Sequence, residues 1–203
     1  MKSVPTIITP YSHALLLTQA KNHYDSMDPS SITLYDFFPS EFYATLRQSV
    51  LGLQLQKLYD PMVHRFGWCS LGVSDAVFVH EQVSGVLCSI TGFTSLVVLG
   101  AYSFGVGDYT ILHDGDAGRV EKNGLGTIGG EFGALAIFDF SSDWDPTWGG
   151  RDVFVDGTGN FVYVPVKGNT CSLISLEKVE RFVEYVNHYA QDRKRFLVVC
   201  GLK

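Results

Sequence analysis

The residues best suited to chemistry lie in the segment His113-Asp114-Gly115-Asp116, where an imidazole stands beside two carboxylates. Imidazole and carboxylate bind first-row divalent metals, and an open iron(II) centre takes two imidazoles and one carboxylate on one face of the ion. A strand presents such a pair to one side when the two residues stand at i and i+2. Two residues after His113 the chain has Gly115, so a carboxylate must come from Asp114 or Asp116 through a bulge or a turn shifted by one residue. The imidazole nearest the C-terminal strands is His188. Arg181, Arg193 and Arg195 add guanidinium forks, which grip a carboxylate by both oxygens but do not ligate a metal.

Other motifs carry less. His13, His23, His64 and His80 have no metal-ligand spacing and read as surface or core-edge residues. Gly124-Leu125-Gly126-Thr127-Ile128-Gly129 matches GxGxxG, but a dinucleotide site needs a strand before it and a helix after it. A charged stretch precedes it and a strand pattern follows, so it reads as a loop. Cys69, Cys88, Cys171 and Cys200 form no CxxC, and three lie in apolar stretches, as buried thiols of a reducing compartment do. Trp144 and Trp148 share one turn, where they either stack on a substrate or close the end of a barrel.

These groups must be positioned by a chain of 203 residues, 46% hydrophobic and 18% charged, with net charge −6 and 21 glycines. Such a chain buries a full core as one domain, 1–203, and its acidity disfavours nucleic-acid binding. The apolar run Ala14–Leu17 is too short for a signal-peptide core. Residues 83–106 carry no charge and by length alone would span a bilayer. However, Val79, Val83, Leu87 and Ile90 follow helical spacing and Phe93–Phe104 is rich in β-formers, so a buried helix and a core strand are expected. No membrane contact and a cytoplasmic location follow from that reading. Residues 1–92 read as a mainly helical part: a helix over 11–24, a strand over 32–38, a helix opening at Pro39-Ser40-Glu41 with Phe42, Leu46, Val50 and Leu53 on one face, and a helix after an N-cap at Ser74. Residues 93–203 read as a β core with strands at 93–104, 108–113, 132–140, 152–155, 161–164, 170–176, 181–186 and 195–200.

Several segments, in order and spacing, resemble one family. They are Leu34-Tyr35-Asp36-Phe37-Phe38-Pro39, Gly107 to Asp114, Asp143-Trp144-Asp145-Pro146-Thr147-Trp148-Gly149-Gly150, Pro165 with Asn169, and Arg195-Phe196-Leu197-Val198-Val199-Cys200-Gly201. Together they are similar to the 2-oxoglutarate/Fe(II)-dependent oxygenase superfamily, in its prolyl-4-hydroxylase-like form. The resemblance implies a mainly β (α+β) double-stranded β-helix, or jelly roll, with N-terminal helices packed on one sheet. It implies His113 as first iron ligand, and it puts Gly115 where the family has aspartate. The family's His-x-Val-x-x-Val register reads Arg181-Phe182-Val183-Glu184-Tyr185-Val186 here, with arginine in place of the second histidine. Arg195 becomes the partner of the co-substrate's far carboxylate, with Arg193 in reserve and Tyr109 a further candidate. The alternative for both arginines is an exposed charge on a final hairpin.

Three accounts of Gly115 follow. Some family halogenases carry His-x-Gly, but they need the second histidine. A rebuilt site would use Asp114 or Asp116 with His188. Loss of the site is simplest, because a guanidinium at Arg181 repels a divalent cation. Two functions are therefore expected of the sequence. One is a non-catalytic binding or structural component of an assembly, with a protein partner and no cofactor. The other is an active dioxygenase hydroxylating a prolyl residue or a small molecule, with displaced ligands, Fe(II) and 2-oxoglutarate.

Overall fold

The apolar spacing of Val83, Leu87 and Ile90 does form a helix, and all three side chains are buried. This is a computed structural model describing residues 9–71, 78, 80–111 and 132–203. Along the chain come α1 (Ala14–Ser26), β1 (Ser31–Tyr35), α2 (Ser40–Leu51), β2 (Gln56–Asp60), β3 (His64–Cys69), α3 (Glu81–Thr91), β4 (Leu96–Phe104), β5 (Tyr109–Thr110), β6 (Ala134–Asp139), β7 (Asp152–Asp156), β8 (Phe161–Tyr163), β9 (Thr170–Ser175), β10 (Val179–Val183) and β11 (Arg195–Leu202).

The strands form two antiparallel layers. One runs β1-β9-β6-β11-β4 and the other β5-β10-β7-β8. β3 joins them, pairing with β4 through Trp68↔Tyr102 and with β5 through His64↔Thr110. From β4 to β11 the chain alternates between layers, with only β7 and β8 consecutive in one, and that winding is a double-stranded β-helix. α1 and α3 cover the outer face of the first layer, where Val83, Leu87 and Ile90 meet Ala136, Phe138, Val198 and Cys200. Between the layers lies a second core of Phe66, Tyr102, Phe104, Ile137, Phe154, Val183, Leu197 and Val199. β6 is buried on both faces, which is why it reads as an unbroken apolar run closed by one aspartate. Each such side chain contributes ~1.5–3 kcal/mol by leaving water.

The uncharged 83–106 stretch divides into α3 and β4 as expected, and no described helix is long and apolar enough to cross a membrane. Three expectations change. The helix expected after Ser74 starts at Glu81, capped by His80, whose Nδ1 accepts from the Gln82 N–H at 3.3 Å. Ser74 and Val79 lie outside the described residues. The N-terminal part, expected to be helical with one strand, also supplies the β2–β3 hairpin, which turns at Asp60-Pro61 with Asp60 Oδ1 accepting from Met62 N at 3.0 Å. Its outer face carries exposed Tyr59 and Arg65, while Phe66 and His64, the latter expected at the surface or core edge, are buried on the inner face. The last two strands also shift: β10 spans 179–183 rather than 181–186 and β11 reaches Leu202. Past Val183 the chain leaves the ladder, and Val186 N bonds to Asp108 O at 2.9 Å.

Candidate functional site

Side chains two apart on a strand share a face, and that rule brings four charges into the interior. Leu197 and Val199 belong to the inter-layer core, so Arg195 on the same strand points inward with them. By the same spacing Asp139 follows Ile137, Asp152 precedes Phe154, and Arg181 precedes Val183 and stands opposite Phe154. Arg195 and Asp152 are 0% exposed and Asp139 1%.

The four groups form one network. Arg195 donates from Nε to Asp139 Oδ2 at 2.9 Å, and from Nη1 to Asp152 Oδ2 at 2.6 Å and the Gly150 carbonyl at 2.7 Å. Arg181 donates to the other oxygen of Asp152, from Nε at 2.8 Å and also from Nη2. Asp139 Oδ1 accepts from Ser141 N at 2.7 Å. Two cations and two anions leave the quartet neutral, which is how buried charge is tolerated. Burial pushes the Asp152 carboxyl up, but Arg181 and Arg195 outweigh it and hold it below its ordinary value. Burial also opposes charge on Arg195, and Asp152 and Asp139 outweigh that, raising it. Arg195 Nη2 and Arg181 Nη1 are buried without a hydrogen-bond partner among the described residues.

The turn 143–150 closes this end. Trp144 and Trp148 meet edge to face at 5.4 Å against the inter-layer core, and Trp144 Nε1 donates to Gly149 O at 2.9 Å. Gly149 (φ 77°) brings its backbone so near the next segment that a Cβ would lie 2.2 Å from Tyr185 O. That approach places the Gly150 carbonyl on Arg195.

The residues singled out in the sequence are thus distributed unevenly. Arg181 and Arg195 meet through Asp152. His113, Asp114, Gly115 and Asp116 lie outside the described residues, as does the GxGxxG segment. His188 is exposed in a 3₁₀ turn with its ring 4.1 Å from Tyr189. Arg193 is an exposed charge 3.9 Å from Asp143. Tyr109 donates its hydroxyl to Pro61 O at 2.8 Å, toward the β2–β3 turn and away from the quartet. Asp139 and Asp152 were not singled out. Their signal was an acid at the edge of an apolar strand, in phase with the inward residues.

The candidate iron ligands His113, Asp114 and Asp116 lie outside the described residues, and the described interior around Asp152 supplies charge rather than imidazole. β10 offers Arg181 and Val183 inward, and no described group of three His, Cys, Asp or Glu is placed to hold a metal. Both Asp152 oxygens already face guanidinium donors, and an added dicarboxylate would set further negative charge beside Asp139 and Asp152.

No family model matches the chain and no curated protein matches it in sequence. Solved structures do resemble it. A Pseudomonas putida prolyl-4-hydroxylase superposes with TM-score 0.65 at 11% identity, covering 92% of this chain and 98% of that one. A Burkholderia pseudomallei oxidoreductase of the 2OG-Fe(II) oxygenase family gives 0.66 at 10% identity, covering 92% and 90%. A Trichoplax adhaerens prolyl hydroxylase, solved with a hypoxia inducible factor peptide fragment, gives 0.64 at 11% identity, covering 93% and 89%. The expected oxygenase-like jelly roll is therefore the fold of this chain.

Proposed function

We propose that this chain is a non-catalytic protein built on the 2-oxoglutarate oxygenase fold, serving as a binding or structural component of a protein assembly. One observation carries the reading: Arg195, at the position the family uses to hold the co-substrate's far carboxylate, is engaged by the chain's own Asp139 and Asp152. The internal carboxylates are covalently tethered and already neutralise Arg195, so a free dicarboxylate would enter beside two buried anions with only Arg195 Nη2 and Arg181 Nη1 still without a partner among the described residues. Arg181 adds to this. Where the family has its second imidazole, the chain has a cation fixed to Asp152. A cytoplasmic setting agrees with four free cysteines, and the net charge of −6 disfavours a nucleic-acid partner.

The test is succinate release from 2-oxoglutarate by the purified full chain with added Fe(II) and ascorbate. No release above the protein-free control is expected, and calorimetry should detect no 2-oxoglutarate binding. Stoichiometric iron retention with succinate formed in step with oxygen uptake would refute the proposal and favour the displaced-ligand dioxygenase.

A further inference from the structure

On the outside of the barrel end that holds the quartet is a cavity of about 600 Å³, lined among others by Tyr43, Arg47, Ser142, Trp144 and Lys167. In this acidic chain most described lysines and arginines lie within 4.0 Å of a carboxylate. Arg47 and Lys167 have no such partner among the described residues, yet both line this one cavity. Arg47 is fixed in place: its Nε donates to Phe140 O at 3.0 Å and its Nη2 to Ser142 Oγ at 2.8 Å. These two acceptors are uncharged, and no described carboxylate lies within 4.0 Å of the guanidinium. Lys167 is held with its Nζ 5.0 Å from the centre of the Tyr35 ring. The acid on the rim, Asp143, is 83% exposed and lies 3.9 Å from Arg193.

Tyr43, Trp144 and Val166 add aromatic and apolar wall. Tyr43 stacks on Phe140 at 5.8 Å and 10°, and Trp144 stands in the same lining. The backbone is shaped to this lining as well, since a Cβ on Gly168 would come within 2.5 Å of the Tyr43 hydroxyl. An oriented guanidinium, a second cation, a serine hydroxyl and aromatic surface together match an anionic head on an apolar or aromatic body.

We infer that this cavity binds a small organic anion, a carboxylate or phosphate monoester carried on an aromatic or apolar body. The inference does not depend on the state of the barrel interior. Its failure would leave the non-catalytic reading untouched, and the reverse holds too.

The probes are phenyl phosphate, benzoate, inorganic phosphate and benzyl alcohol, titrated into the full chain by calorimetry with the Trp144 indole N–H followed by NMR. Phenyl phosphate or benzoate should saturate and shift the Trp144 signal, with binding at least about tenfold tighter than benzyl alcohol. Whichever of the two binds tighter identifies the head group, and inorganic phosphate should bind more weakly than phenyl phosphate because it lacks the body. Arg47→Gln should weaken the anion by about tenfold or more, and raising salt should weaken it further. Because Arg47 also ties α2 to the segment after β6, Lys167→Gln serves as the second variant and should weaken binding by about threefold with an unchanged Tm. Three results would each overturn the site: no saturable binding of either organic anion, equal binding of benzyl alcohol, or wild-type affinity in both variants.

Discussion

Replacing Asp152 with asparagine removes one charge and leaves the side-chain volume almost unchanged, so it isolates the electrostatics of the quartet. In the native protein one carboxylate oxygen takes two bonds from Arg181, whose side chain is 11% exposed, and the other takes Arg195 Nη1 at 2.6 Å, with Asp152 and Arg195 fully buried. After the change Arg195 keeps Asp139 and the Gly150 carbonyl, whereas Arg181 keeps no carboxylate among the described residues. Breaking a buried pair from one side costs about 3–5 kcal/mol, a large share of the ~5–15 kcal/mol that a domain has in total. With a urea slope of about 2 kcal/mol/M, the midpoint should fall by about 1.5–2.5 M at pH 7. Tryptophan fluorescence and far-UV circular dichroism would follow the transition.

The same variant has a pH signature. The folded Asp152 carboxyl titrates below its unfolded value, so the folded state binds fewer protons than the unfolded chain as pH falls. Its contribution is therefore complete above about pH 4 and is lost as pH drops through the folded value, so the gap between wild type and Asp152→Asn should narrow in acid. A gap under about 1 kcal/mol at pH 7, or one that is the same at pH 3, would refute the reasoning. A companion in which Arg181, Arg195, Asp139 and Asp152 are replaced together by apolar residues of similar volume should recover most of the loss, because the penalty lies in the unpaired charge.

Other expectations concern separate parts of the molecule. Tyr24 and Tyr102 are pushed up to about 12 by burial, so their phenols should titrate in the ultraviolet spectrum well after the exposed tyrosines. Since the unfolded chain releases those protons first, stability should fall as pH rises above about 10, read as a declining urea midpoint. Gly149→Ala should cost at least about 1–3 kcal/mol, because the new Cβ meets Tyr185 O in a left-handed backbone; an unchanged Tm would count against the close approach. Cys171 and Cys200 are buried with thiols pushed well up, so Ellman's reagent should label them only on unfolding, while Cys69 and Cys88 are half-buried and react sooner.

Much of the β core was readable because its signals are local. Apolar runs bounded by Gly, Pro and Asp turns located all eight strands from β4 to β11, and their ends moved by a few residues where pairing rather than composition decides. The β2–β3 hairpin was not read because its outward residues are charged or aromatic and its inward alternation is carried by a histidine, His64, beside Phe66, which does not register as an apolar period. The site was legible only in half. Arg181 and Arg195 stood out by their place in the family's register, but a sequence does not say what an inward arginine meets. The answer depended on Asp139 and Asp152, 13 positions apart in the chain and brought to one point by strands of different layers.

That placement gives the quartet a structural consequence. Asp139 and Arg195 belong to the first layer, on β6 and β11, while Asp152 and Arg181 belong to the second, on β7 and β10. The pair Asp152–Arg195 therefore crosses the interior, and the two outer pairs lock each of its members to a neighbour in its own layer. A hydrophobic interior fixes how much surface two sheets bury but only loosely fixes their relative register. Bidentate and bridging bonds have direction, so they distinguish the native stagger from one slipped by two residues, which would strand a charge. A barrel fixed in this way needs no ion to align its layers at that end. On the proposed non-catalytic reading, the two interior arginines serve to fix shape.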